Sequence, residues 1–345
     1  MFRGRHLVAA LVVLSSCSRK PPPVAKHVFV SDEAGGDVVA IDLAKGEVVA
    51  RIPVGKRPRG LKPSPDGRWL YVALSGSPRA GPGVDESKLP PGDRSADGIG
   101  LIDLETMQPA RTLTSGQDPE TFDLAPDGKT LFVSNEETAE MSAIDLESAR
   151  IRGKASVGHE PEGVTVRPDG KVVFVTSEAD AEVTAVDTST LAVLGHVPTG
   201  KRPRAVVVAR DGVTAFATNE GDGSLTVFDA VAFAPRGTIP LHEDSPMPSG
   251  PRPMGAVLSP DGKTLYVSCG RGGSIAVVDV ASRTQTRSID GVGDRPWGIA
   301  ISADGARLYT ANGSSHDLAV VNAATGNVEK RVVVGGLPWG ATLGP

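Results

Sequence analysis

Residues 158–199 read GHEPEGVTVRPDGKVVFVTSEADAEVTAVDTSTLAVLGHVPT, and the same order of parts returns along the chain. The unit opens on a Gly-x-x-Pro element (Gly158 to Pro161) and a short apolar run. A Pro168-Asp169-Gly170 turn follows, then the run Val173 to Ser177, a third run ending in Val186-Asp187, and a last apolar run. Short runs rich in β-branched residues, bounded by Gly, Pro and Asp, read as strands. The unit therefore holds four of them. Ser64-Pro65-Asp66-Gly67 puts Pro and Gly where a type I turn prefers them, and Pro126-Asp127-Gly128 and Pro260-Asp261-Gly262 repeat the signal between strands one and two.

The Gly-x-x-Pro element begins at Gly55, Gly116, Gly158, Gly200, Gly250, Gly293 and Gly335, at spacings of 61, 42, 42, 50, 43 and 42. The longer intervals locate two insertions, residues 75–98 and residues 242–249. Four strands in a period of 40 to 45 residues are the signature of a propeller blade. The chain starts with strands two to four of a blade (residues 27–31, 37–42 and 48–54) and stops after a first strand, residues 339–343. The expected fold is thus all-β: a seven-bladed β-propeller with four antiparallel strands per blade, closed by pairing the N-terminal strands with the C-terminal one. A single domain, residues 27–345, follows. With 41 Gly and 28 Pro among 345 residues, long helices are excluded, and 39% apolar residues exclude disorder.

Arg3, Arg5 and His6 precede the apolar run Leu7 to Leu14, too short to span a bilayer as a helix. Residues 1–16 read as an export signal. Residues 17–26 read as a polar, proline-stiffened tether. Without the signal the formal charge moves from −5 to −7, so no nucleic-acid partner is expected. Cys17 and Cys269 are the two cysteines, and no disulfide framework is expected.

Repetition separates blade from site: a residue found in every blade serves the blade. Asp42, Asp103, Asp145, Asp187, Asp229, Asp279 and Asn322 recur after strand three and read as turn caps. Gly60, Thr121, Gly163, Ala205, Gly255, Gly298 and Gly340, two after the repeat proline, read as small residues packed near the axis. The residue after the proline varies: Arg59, Glu120, Glu162, Arg204, Met254, Trp297 and Trp339. So does the residue before it: Arg57, Asp118, Glu160, Arg202, Arg252, Arg295 and Leu337. An acidic arc facing a basic arc with two tryptophans could hold an anionic or planar ligand. The expected ligand set is Arg57, Arg59, Arg202, Arg204, Arg252, Arg295, Trp297 and Trp339; the competing reading is salt bridging among exposed rim charges. No catalytic residue and no metal site is expected. A Cys269/His316 pair and the groups His159/Glu160/Glu162 and His242/Glu243/Asp244 are the weak candidates. No cofactor is expected: there is no Cys-x-x-Cys-His for haem and no phosphate-cradling glycine loop.

Leu14-Ser15-Ser16-Cys17 resembles the lipobox of bacterial lipoproteins, which implies lipidation at Cys17 and a membrane contact through that anchor alone. Leu131 to Asn135, Val173 to Ser177 and Leu308 to Asn312, each upstream of an Ile-Asp-like pair, resemble the YVTN-type propeller repeat. Lys56 to Gly60, Gln117 to Glu120, Glu160 to Gly163 and Pro338 to Gly340 are similar to the exported subgroup associated with pyrroloquinoline-quinone-dependent alcohol catabolism. The resemblance implies a monomeric accessory protein on the periplasmic side of the envelope, anchored at the outer membrane. It would bind a small molecule or an envelope protein at its loop-rich face and catalyse nothing. The alternatives are a propeller enzyme (a lactonase-type hydrolase or a quinone- or haem-using oxidoreductase) and a protein-interaction scaffold docking through residues 75–98.

Overall fold

The computed structural model describes residues 24–79, 88–243 and 250–345; Cys17 and most of the second insertion lie outside them. The described residues form seven four-stranded antiparallel sheets. Blades are numbered here from the Gly55 repeat. Their innermost strands are Pro58–Pro63, Pro119–Leu124, Pro161–Val166, Pro203–Val208, Pro253–Leu258, Pro296–Ile301 and, in the seventh, Pro338–Gly344. The seventh blade combines that last strand with His27–Asp32, Asp37–Asp42 and Glu47–Pro53. His27 pairs with Gly344 and Val28 with Leu343, so the ring closes as the repeat phase requires and two edges open to other chains are paired.

Alternation within strands two and three puts apolar side chains on both faces of each blade, because both faces are covered by neighbours. Seven apolar clusters result, one per junction between blades. Phe29, Phe132, Phe174 and Phe216, at one equivalent position of strand two, are essentially inaccessible, and burying each contributes roughly 1.5–3 kcal/mol. Clusters on both sides of the seventh blade, one with Val30, Ile41 and Leu318, the other with Phe29, Val38 and Val72, show it packed like the rest.

The repeated aspartates cap turns. Asp187 Oδ1 accepts the N–H groups of Ser189 and Thr190 at 2.9 and 2.8 Å, Asp229 those of Val231 and Ala232, and Asn322 those of Ala324 and Thr325. Among the described residues helix is confined to single 3-10 turns such as Glu136–Thr138, and none is long and apolar enough to cross a membrane.

Candidate active site

The opposite end of the ring is built by a bulge. In every blade the innermost strand carries one extra residue between the repeat proline and the third residue after it, for instance where Pro119 faces Asn135 but Phe122 faces Val133. The same shift occurs at Pro58/Leu61, Pro161/Val164, Pro203/Val206, Pro253/Ala256 and Pro296/Ile299. A bulge re-aims the side chain it contains. Here that is the variable residue after the proline, which turns toward the axis.

A strand-two hydroxyl locks the bulge in five blades, the exceptions being blades one and six, which carry Ala73 and Ala311 at that position. Thr176 Oγ1 accepts from Gly163 N at 2.7 Å and donates to the Arg204 carbonyl of the next blade at 3.1 Å. Ser268 does the same between Gly255 and Trp297, Thr218 between Ala205 and Met254, and Ser31 between Gly340 and Arg59. A Cβ at Gly163 would lie 2.3 Å from the Arg204 carbonyl oxygen, so the small residue of the repeat is required by that close approach.

A second backbone bond joins two rim positions within a blade. The carbonyl before the repeat proline accepts the N–H of the residue after strand two: Asp118 from Glu136 (3.0 Å), Glu160 from Glu178 (2.9 Å), Arg202 from Glu220 (2.9 Å) and Leu337 from Glu33 (3.0 Å). Arg57, Asp118, Glu160, Arg202 and Arg295 sit at φ between 42° and 58°. Left-handed backbone costs a side-chain-bearing residue of order 1 kcal/mol or more, and it persists where the surroundings over-determine it.

The floor and walls enclose a cavity of about 430 Å³. Arg57, Arg59, Arg202, Arg204, Arg295, Trp297 and Trp339 of the expected ligand set all line it. Arg252 does not; its Nη1 donates to the Glu220 carbonyl at 3.4 Å. The insertion brings Pro78 and Arg79 to the rim, held by Arg57 donating to the Ser77 carbonyl at 2.8 Å. Glu33, Glu136 and Glu178 also line the cavity, and Glu220 joins them through the arginines. These four glutamates were not anticipated. They share one position, immediately after strand two, where the other blades carry Ser75, Gly270 and Gly313, and tabulating that position around the ring would have found them.

The rim is not uniformly solvated, as the competing reading would have it: Arg59, Asp118, Glu120 and Glu162 are buried and Arg204 nearly so, while Arg202 and Glu160 are exposed. Arg59 is 2% accessible and touches Glu120, with Nη2 3.1 Å from Asp118, Nη1 3.6 Å from Glu136 and Nε 3.7 Å from Glu33. Arg204 touches Glu162, with Nη1 2.6 Å from Glu178 and Nε 2.9 Å from Glu220, and Arg202 adds contacts of 2.6 and 3.4 Å to the same two glutamates. The ring brings the two arcs into one interleaved network, since bulged residues converge on the axis. Asp118, Glu120 and Glu136 could together ligate a metal ion, but the Arg59 guanidinium already stands among the same oxygens.

Carboxylates outnumber guanidiniums on this side, and burial then decides their protonation. Glu162 is pushed up to about 8, first by loss of water and then by Glu136 and Glu178, against the opposing pull of Arg204. Burial also raises Glu136. Burial would raise Asp118 as well, but Arg59, Ser75 and Arg57 outweigh it and hold this carboxylate low. Across the ring Trp297 and Trp339 stack with centroids 5.6 Å apart and planes 29° apart, flanked by Arg295 at 4.6 Å and Arg204 at 5.8 Å from the Trp297 ring.

The weak candidates do not assemble. Cys269 is buried in apolar surroundings and pushed up to about 12, while His316 is exposed and its Nδ1 meets the Gly336 carbonyl. His159 is exposed and pairs with Asp180 at 3.2 Å, while Glu162 faces the cavity. Asp244 lies outside the described residues.

Residues 189–335 match the family model for lactonase of the seven-bladed β-propeller type. Antigen Lp49 of Leptospira interrogans is 29% identical over 108 residues, 31% of this chain and 23% of that protein, so the match spans about a quarter of the relative's length. Among solved structures, the periplasmic gluconolactonase PpgL of Pseudomonas aeruginosa superposes with a TM-score of 0.70 at 21% identity, covering 92% of this chain and 99% of that one. A chain of Kuenenia stuttgartiensis hydrazine synthase gives 0.71 at 18% identity, covering 90% and 99%. Identities this low speak for the seven-bladed fold alone. The family match overturns the expectation of a body that binds and catalyses nothing, and it turns the reading to the enzyme alternative.

Proposed function

We propose that this chain hydrolyses cyclic esters in the mouth of the propeller, with Glu162 as the proton-transferring group. The observation that carries the proposal is a fully buried carboxyl at the floor of an open cavity, raised to about 8 and so able to exchange a proton near neutral pH. Opening a lactone requires a water that loses a proton as it attacks the carbonyl carbon. It also requires a positive partner for the oxyanion that forms and a proton for the departing ring oxygen. Glu162 accepts the first proton and returns it to the ring oxygen. Glu136, also raised, keeps Glu162 from ionising too readily, and the Arg204 guanidinium beside Glu162 supplies positive charge for the oxyanion. The stacked tryptophans give the ring of the substrate a flat apolar face. The family match over residues 189–335 supports ester hydrolysis among the reactions such carboxyls can serve.

The Leu14-Ser15-Ser16-Cys17 sequence and the resemblance to exported YVTN propellers support an envelope location with a lipid at Cys17. Strand His27–Asp32 starts at the end of the ring opposite the mouth, which favours a mouth turned away from the anchoring membrane. Cys17→Ala is expected to move the protein from the membrane to the soluble periplasmic fraction; equal fractionation of both forms contradicts the anchor. For the activity, proton release from γ- and δ-aldonolactones is followed above the spontaneous rate. Turnover by the wild type and its loss in Glu162→Gln are expected, and no acceleration of any lactone contradicts the assignment.

A further inference from the structure

The mouth has two unlike halves. On blades one to four each of these guanidiniums is committed: Arg59 to four carboxylates, Arg57 to Glu33, and Arg202 and Arg204 to Glu178 and Glu220. On the tryptophan side the arrangement differs. Arg295 lies over Trp297, its Cζ 4.6 Å from the ring centroid, and among the described residues no carboxylate stands within ion-pairing distance of it or of Arg79. Both line the cavity. Loss of water holds the Arg295 pKa below its ordinary value, an effect that the more distant charges of Glu33 and Glu220 oppose without cancelling.

A guanidinium held over an aromatic face by cation–π attraction keeps its N–H donors available to a planar or tetrahedral oxyanion. The left-handed Arg295 backbone, whose carbonyl accepts Gly313 N at 3.0 Å, sets where that side chain departs. We infer that Arg295, with Arg79 beside it on the cavity wall, forms an anion subsite next to the Trp297–Trp339 platform, and that the ligand of this mouth is a ring-bearing acid, carrying a carboxylate or a phosphate, rather than an uncharged ring. The ring rests on the tryptophans, the anion meets Arg295, and the carboxyl of Glu162 is left on the far wall. The opposite half carries more carboxyl groups than guanidiniums and its arginines are already paired with them, so an anion is better received on this side. The inference deepens the reading of the mouth as a substrate site, but its test reads binding and does not require turnover.

The full chain is titrated with glucuronate, glucose 6-phosphate and methyl glucoside, which share a pyranose ring and differ in the anion, following tryptophan fluorescence at low and high salt. At least one of the two anions is expected to bind and to perturb the fluorescence, with methyl glucoside bound at least tenfold more weakly. Preference between glucuronate and glucose 6-phosphate tells carboxylate from phosphate. Arg295→Gln is expected to weaken the preferred anion by roughly ten- to a hundredfold and to flatten the salt dependence, because a charge-assisted bond is lost. Arg79→Gln gives a smaller loss of the same kind. Both variants are expected to melt with the wild type. Methyl glucoside bound as tightly as either anion, binding of neither anion, or an Arg295→Gln variant that binds the anion as the wild type does would overturn the subsite. Failure of the lactone assay with anion binding intact would instead remove the hydrolytic reading and leave the subsite standing.

Discussion

The two ends of the ring are made from the same repeat and behave oppositely. At the turn end, Asp42, Asp103, Asp145, Asp187, Asp229, Asp279 and Asn322 accept local backbone N–H groups, six aspartates and one asparagine doing one task. At the mouth end, the seven bulged positions carry Arg59, Glu120, Glu162, Arg204, Met254, Trp297 and Trp339, and their environments are unlike. Repeated residues hold blades together through contacts within a few positions of themselves. Varied residues act across the ring, so their meaning depends on which blades face one another. This contrast makes specific claims about what substitution at each end does.

The contrast rests on a closed ring, and its harshest test removes the closure. Deleting residues 338–345 strips the innermost strand from the seventh blade and uncovers the edge of His27–Asp32. Loss of the cooperative thermal transition, or aggregation, is expected; an unchanged transition would mean the ring closes otherwise. The next effect is confined to the mouth. Glu162→Gln is expected to lower kcat by about 10²–10⁴-fold, the range for a lost acid-base group, with a far smaller change in KM. Its stability should move the other way at high pH. The folded-state pKa of Glu162 is raised from 4.5 to about 8, so its contribution to stability is fully present below about 4.5 and fades as pH rises through about 8. Melting temperatures of wild type and variant, compared at pH 5 and pH 9, are expected to converge or cross toward the alkaline side.

Arg59 sharpens the comparison differently, because it belongs to the mouth but its work is structural. Arg59→Met leaves Asp118, Glu120 and Glu136 buried without their cation and is expected to cost about 3–5 kcal/mol in chemical denaturation. A variant as stable as the wild type would mean that these carboxyls already fold protonated. The smallest effect lies at the turn end. Asp229→Ala removes one of seven equivalent caps on an exposed turn, and a melting shift of no more than about 2 °C with unaltered turnover is expected. A large loss of turnover there would dissolve the distinction between the two ends.

The blade order, the turn caps and the ring closure were legible in the chain because each depends on residues close in sequence or on the repeat phase. Gly163 and its counterparts were legible for the same reason, as small residues where neighbouring backbones meet. The charge state of the mouth was not. Arg59 looks like a surface arginine in Lys56-Arg57-Pro58-Arg59, yet the bulge after Pro58 turns it inward to carboxylates from blades seven and two. Glu136 and Glu178 follow strand two, outside the Gly-x-x-Pro element, and only the backbone bond from their N–H to the pre-proline carbonyl brings them to the cavity. A raised Glu162 is likewise invisible in sequence, since it arises from burial beside two other glutamates.

The pH–rate profile of lactone hydrolysis, measured for the wild type and for Glu162→Gln, tests most directly whether the buried carboxyl does the chemistry. Glu162 as the base that must be ionised to accept a proton predicts a kcat that climbs through about 8 in the wild type and a low, flat profile in the variant. A variant that keeps the wild-type profile, or a wild type that never exceeds the spontaneous rate between pH 6 and 9, would contradict it.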